Sequence, residues 1–212
     1  MSTVPKISSK FIDKLSHAEI QKVIEVCKAV NIDQPNWLLA VMFFETARTF
    51  SPSIRNGIGS VGLIQFTRDK KGVEYKTIAG RKYYLDELAQ MSFIEQMDVV
   101  KAYLKQALRT KPKSFVDVYL SVFFPVAQGK SDDYVFQTSG LSAELIAKQN
   151  PIFDRNKDKK ILKKEVEDYF REVYNKWGFD FDNEIKGGSK TPAYAIIAVF
   201  FYSVLAMYSA IS

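Results

Sequence analysis

Pro35-Asn36-Trp37-Leu38-Leu39-Ala40-Val41-Met42-Phe43-Phe44-Glu45 is the stretch on which the reading of this chain turns. Asp33 and Pro35 stand where a helix opens, and the run predicts a helix reaching about Arg48. Leu38, Val41, Met42 and Glu45 fall at i, i+3, i+4 and i+7, so one face holds all four. Glu45 therefore occupies a position where the pattern asks for an apolar residue. A carboxyl held there loses hydration, its pKa rises, and it keeps its proton near neutrality. That is the state a general acid needs. The same spacing admits a plainer alternative, a helix-end glutamate that tips into solvent or pairs with Arg48.

Composition narrows the chemistry around this residue. The chain has 212 residues, 47% hydrophobic and 25% charged, enough for one compact domain with a real core. Its one cysteine, Cys27, excludes a disulfide framework, and its one histidine, His17, excludes zinc sites built on several histidines. Carboxylates or hydroxyls must then carry any reaction.

Outward from the central helix the pattern is mainly helical. Ser16 and Glu19 form a capping box ahead of Ile20, Val23, Ile24, Cys27 and Val30, which places Cys27 in the core and His17 on the surface. Glycines, the Asn56-Gly57 turn signal and β-branched residues between Ser51 and Gly80 predict loops and a small β-hairpin. Ser92 and Glu95 cap a helix to about Leu108, and Ser114 to about Phe124 is an apolar helix stopped by Pro125. Ser142 to Lys148 is a short helix, and Lys163 to Trp177 a longer one. The expected fold class is mainly α (α+β), without a parallel α/β sheet.

Glu45-Thr46-Ala47-Arg48-Thr49-Phe50-Ser51-Pro52 leads to Gly59-Ser60-Val61-Gly62-Leu63-Ile64-Gln65-Phe66. A helix-end Glu followed by Ser or Thr, then a Gly-Leu-(Met/Ile)-Gln turn, resembles the signature of lysozyme-like lytic transglycosylases. Gly62 permits close backbone approach, and Gln65 can both donate and accept hydrogen bonds with a sugar. Asp117 to Pro125 and Gly129 to Val135 are similar to the later half of phage and bacterial cell-wall lysins, so the resemblance covers roughly residues 17 to 170. Members of that group carry an Ala-Tyr-Asn-Ala-Gly motif whose tyrosine faces the acid. This chain departs from it: Phe123 and Phe124 stand nearest, with Tyr119 one turn earlier.

The resemblance implies a lysozyme-like helical domain that binds peptidoglycan glycan strands and cleaves between N-acetylmuramic acid and N-acetylglucosamine. Glu45 would be catalytic, and Thr46, Gly62, Leu63, Ile64, Gln65, Tyr119 and Phe123 would bind substrate. No cofactor is required. Hydrolysis would usually need a second carboxylate. Asp69 and Glu74 are the nearest downstream, outside any motif, so one-carboxylate chemistry is favoured over a hydrolytic lysozyme. A wall-binding or structural virion protein with little catalysis is the alternative from another class.

Two further segments stand out. The run from Asp154 to Glu165 fits a twelve-residue EF-hand loop, with Asp154, Asn156, Asp158, Lys160 and Glu165 at calcium-ligand positions and Ile161 at the apolar one. The turn position that is normally Gly is Lys159. Three acidic residues face six basic ones within the loop, a local charge of +3 that weakens any divalent site. From Pro192 to Ser212 no charge occurs, and as a helix the run would span about 31 Å, near the thickness of a bilayer core. It is expected to be a C-terminal transmembrane helix after a linker rich in Gly and Lys.

The expected organisation is a catalytic domain over 1–150, an EF-hand-like loop and helix packed on it over 151–180, a linker over 181–191 and the membrane helix over 192–212. The formal net charge of +6 lies before that helix, but its lysines are scattered, which argues against nucleic acid. The start of the chain has no apolar signal-peptide core, and Lys186 and Lys190 precede the anchor, which favours a cytoplasmic catalytic part. Peptidoglycan lies across the membrane from there. A bacteriophage virion membrane resolves the mismatch, because it can deliver the protein to the wall at infection.

Overall fold

The computed structural model describes residues 7–187, and they belong to one compact unit. The expected membrane helix and residues 188–191 of the expected linker lie outside the described residues, whereas Phe181–Ile185, expected within that linker, instead forms a helical turn that buries Phe181 and Ile185. Among the described residues no helix is long and apolar enough to cross a membrane.

Among the described residues eight α-helices and one hairpin form the main elements: α1 (Ser9–Ile12), α2 (His17–Ala29), α3 (Pro35–Glu45), β1 (Tyr75–Ile78), β2 (Arg81–Tyr84), α4 (Leu85–Gln90), α5 (Phe93–Ala107), α6 (Phe115–Phe123), α7 (Ala143–Gln149) and α8 (Lys163–Lys176). The capping boxes at Ser16 and Ser92 both form. Their serine hydroxyls and the Glu19 and Glu95 carboxylates satisfy helix N–H groups that would otherwise lack partners.

The central helix α3 has no polar stripe. Pro35 to Phe43 are all buried, so the helix is wrapped on every side, with α2 and α6 packed against it. It begins with Pro35 in the first turn and ends at Glu45, three residues earlier than expected. Ala47 and Arg48 have φ of 48° and 72°, a left-handed reversal that breaks the helix and turns the chain back.

The hairpin also lies later than expected. Its strands run antiparallel with Tyr75 opposite Tyr84 and Ile78 opposite Arg81. Ala79 and Gly80, at φ 49° and 80°, supply the two positive-φ residues that suit the twist of a two-residue turn. Asn56, by contrast, does not turn a hairpin. Its side-chain oxygen accepts from the N–H groups of Ile58 and Ser60 at 3.1 and 3.0 Å and closes a loop.

Helix α8 is integral to the core. Val166, Phe170 and Tyr174, one turn apart, are fully buried. The Phe170 ring lies 4.5 Å from Tyr119, 4.8 Å from Phe44 and 5.0 Å from Phe115, centroid to centroid. A buried ion pair adds a polar tie: Lys163 Nζ donates to Asp117 at 2.8 Å and to the Lys130 carbonyl at 2.9 Å. The Asp117 carboxylate also accepts from the N–H groups of Lys113 and Gly129 at 3.0 and 3.2 Å, so neither charge is left uncompensated.

Candidate active site

Glu45 is the last residue of α3, half-buried, and burial pushes its carboxyl up to about 7. It makes no hydrogen bond or ion pair among the described residues. Arg48, its possible partner, lies instead over the Trp177 ring, 5.4 Å from the centroid. The carboxyl is thus raised by desolvation alone, without a neighbouring carboxylate or a cation to complicate its titration.

Aromatic hydroxyls surround it electrostatically. Burial first, and then the Glu45 charge, hold both Tyr119 and Tyr174 well above the usual phenol range. Tyr174 is committed, because its hydroxyl donates to the Ala40 carbonyl. Tyr119 has no hydrogen-bond partner among the described residues, and its ring is packed between Phe44 at 6.1 Å and Phe123 at 5.5 Å. A neutral phenol near a protonated carboxyl suits orienting a proton in transit. Of the aromatic residues weighed for the tyrosine position, Tyr119 is the one with a hydroxyl, and α6 presents it toward α3.

Phe123 stacks on Tyr119 at the end of α6, whereas Gln65 lies on the turn before Phe66. Gln65 is half-buried at φ 51°, its amide donating to the carbonyls of Gly62 at 3.1 Å and Ile54 at 3.4 Å. It borders a cavity of about 100 Å³ that Lys76, Tyr103 and Val122 also line. The Gln65 side-chain oxygen is buried without a partner. Tyr103 donates from its hydroxyl to the Ser121 carbonyl at 3.2 Å, and burial raises it. A larger cavity of about 420 Å³ lies by Phe43, Arg48 and Trp177. Neither cavity is lined by Glu45.

The other expected substrate contacts take a different role. Thr46 is fully buried, donating to the Met42 carbonyl at 2.7 Å and accepting from Phe50 N–H at 2.9 Å, so it locks the reversal after α3. Leu63 and Ile64 are core residues, with 0% and 1% of their surface exposed, which leaves no side-chain atom to meet a sugar. Gly62 does permit a close approach, but by protein. At φ 83°, the space a Cβ would fill holds the Gln96 amide. Gln96 accepts from Leu63 N–H at 2.6 Å and donates to the carbonyls of Pro52 and Leu88 at 2.9 and 2.7 Å. Gly62, Leu63 and Ile64 build the turn with Gln96 beneath it, and Gln65 alone of that turn keeps a polar group at its edge.

Gln96 is the residue that sequence reasoning missed. Its signal was present: it shares the buried face of α5 with Phe93, Met97 and Val100, a position as unexpected for an amide as Glu45 is for an acid.

Asp69 and Glu74, the possible second carboxylates, are both engaged. Asp69 accepts from Thr77 N–H at 2.9 Å and pairs with Lys76 at 3.3 Å; the hydrogen bonding of Thr77, the largest cause, lowers its pKa. Glu74 pairs with Arg68 at 2.6 Å.

The EF-hand-like loop keeps its turn. Lys159 sits where Gly is usual, and its φ of 67° is the left-handed value that position demands. Asp154 accepts from the N–H groups of Asp158 and Lys159 at 3.1 and 3.2 Å, and Asn156 from Asp158 N–H at 2.9 Å. Asp158 accepts from Lys160 N–H, and Glu165 caps α8 through Leu162 N–H. Among the described residues no group of three or more His, Cys, Asp or Glu could hold a metal ion. Asp154, Asn156, Asp158, Lys160 and Glu165, the expected calcium positions, all fall in this loop. Their oxygens serve the loop's own N–H groups, and the surplus of lysines opposes a dication.

No protein-family model matches the chain, and neither a curated protein nor a solved structure matches it.

Proposed function

We propose that this protein is a lytic transglycosylase that cleaves peptidoglycan between N-acetylmuramic acid and N-acetylglucosamine with Glu45 as its one catalytic carboxyl. The observation that carries the reading is the Glu45 carboxyl held up to about 7 by burial, free of any partner, at the end of a wholly buried helix. A group in that state is protonated below neutrality and can be deprotonated above it, as an acid that must later act as base requires.

The steps balance on Glu45 alone. Its proton passes to the glycosidic oxygen as the bond to the anomeric carbon of muramic acid breaks. The primary hydroxyl of the same sugar then attacks that carbon and returns its proton to the Glu45 carboxylate, closing an anhydro ring. Tyr119, kept neutral, packs on Phe44 beside the end of α3, and Gln65 keeps its side-chain oxygen free of a partner among the described residues, an acceptor for substrate. Engagement of Asp69 by Thr77 and Lys76, and of Glu74 by Arg68, supports the one-carboxylate route over hydrolysis.

On this reading the uncharged run 192–212 anchors the enzyme in a membrane. A bacteriophage virion with a lipid membrane is the setting that puts such an anchor and a wall-cleaving site in one chain.

The test is digestion of purified peptidoglycan by the full-length protein and by Glu45→Gln, with products weighed by mass spectrometry. Muropeptides lighter by one water than the hydrolytic sugars are expected, and none from the variant. Reducing-end sugars would replace the transglycosylase by a lysozyme. Undiminished clearing by Glu45→Gln would refute Glu45 as the acid.

A further inference from the structure

The larger cavity, about 420 Å³, gathers parts of the chain that are far apart in sequence: Lys10 and Lys14 from α1 and the turn after it, Phe43 and Arg48 from the end of α3, and Trp177 beyond α8. Its volume is at the lower end of small-ligand sites, enough for a few residues of peptide and too small for a polymer surface.

Its charge is lopsided. Three cations line it against one acid, Asp13. Lys10 is engaged, pairing with Glu184 at 3.2 Å. The side chains of Lys14 and Arg48 have no ion pair or hydrogen bond among the described residues. Both rest over rings instead, Lys14 at 6.0 Å from the Phe43 centroid and Arg48 at 5.4 Å from that of Trp177. Attraction to a ring face is weak at an exposed site and leaves the N–H donors of the cation unspent. Arg48 also occupies a fixed backbone position. Its N–H donates to the Phe43 carbonyl at 2.7 Å, and its φ is 72°.

We propose that this cavity is a binding site for the free carboxylate of a short peptide, held between Arg48 and Lys14 with its aliphatic atoms against Phe43 and Trp177. The planar guanidinium fork matches a carboxylate through two parallel hydrogen bonds. Asp13 tempers the field and disfavours a compact dianion such as inorganic phosphate. The proposal rests on the peptidoglycan reading for its source of ligand: the peptide branches on muramic acid end in carboxylates. Arg48 follows Glu45 by three residues in the chain.

The test is titration of the full-length protein with muramyl dipeptide, followed by Trp177 fluorescence and by calorimetry. This probe carries one free carboxylate and no bond for Glu45 to cleave, so its result is independent of whether the chain is a transglycosylase. Saturable binding is expected, weakened at least tenfold in Arg48→Gln and in Lys14→Gln, and lost when the carboxylate of the probe is converted to an amide. Equal binding of acid and amide overturns the proposal, as does absence of binding. Binding of inorganic phosphate or of phosphatidylglycerol vesicles in preference to muramyl dipeptide also overturns it, and reassigns the cavity to a phosphate group. Failure of Glu45→Gln to abolish wall cleavage, with dipeptide binding intact, would instead remove the proposed reaction and leave this site standing.

Discussion

Glu45 has a cost as well as a use. Its carboxyl is raised from 4.5 to about 7 in the folded protein, so the folded state holds its proton more tightly than the unfolded one. For an acid shifted in this direction stability is unaffected below the unfolded value and falls as pH rises toward the folded one. Above about pH 7 the folded protein carries the full penalty, on the order of 2 kcal/mol once the solvated edge of this half-buried group is allowed for. Glu45→Gln keeps the shape and never ionises. Denaturant unfolding should therefore find the variant more stable than the parent at about pH 8 by that amount, and nearly equal at about pH 4. A gap of the same size at both values would mean that the carboxyl is not desolvated. Cleavage by the parent should decline as pH rises through about 7, because the proton it donates is lost.

At the scale of elements, the turn that carries Gln65 depends on one glycine and one amide. Gly62→Ala would place a methyl group into the Gln96 side chain at a φ that L-residues rarely adopt. Moving Gln96 breaks its hydrogen bonds to Leu63, Pro52 and Leu88 inside the core. A loss of about 2–4 kcal/mol is expected, read as a lower midpoint in urea, and activity should fall further than stability because Gln65 moves with the turn. Gln96→Ala in the Gly62→Ala background should cost less than the two single losses added, since the clash is then absent. What the sequence made legible here follows from what periodicity can see. It marks faces, so α2, α3 and α5 to α8, the buried Cys27 and the misplaced acid at Glu45 were readable, whereas the short α1 and α4 were not. It cannot tell which partner fills a space. Gly62 therefore read as room for a sugar when Gln96, 34 residues further along the chain, occupies it. Leu63 and Ile64 were expected as contacts because the resembled motif implies it, whereas the turn points them inward. The hairpin was misplaced for a related reason: Asn56-Gly57 is a strong local turn signal, but strands form where a partner can pair, and Tyr75 to Tyr84 provide one.

For the whole molecule, the question is whether the segment after residue 150 is an appendage to the acid-bearing domain or a wall of it. Phe170 and Tyr174 have no exposed surface, and Phe170 packs on Phe44 and Tyr119, the neighbours of Glu45 in sequence and in charge. Without α8 those rings would meet water, the Tyr119 hydroxyl would lose its fixed place, and the desolvation that raises Glu45 would relax. Each large apolar side chain that α8 buries contributes about 1.5–3 kcal/mol, and the Lys163 and Asp117 pair would strand a buried charge if separated. The loop joining α7 to α8 offers a direct test, because Lys157 and Lys160 are exposed and unpaired among the described residues. Brief trypsin treatment of the full-length protein should cut there first. The two fragments should then co-elute on gel filtration, keep the raised pH dependence assigned to Glu45, and part only in denaturant. Release of the C-terminal fragment in native buffer, with the remainder still folded and its pH profile unchanged, would show that the acid is kept dry by α2, α3, α5 and α6 alone.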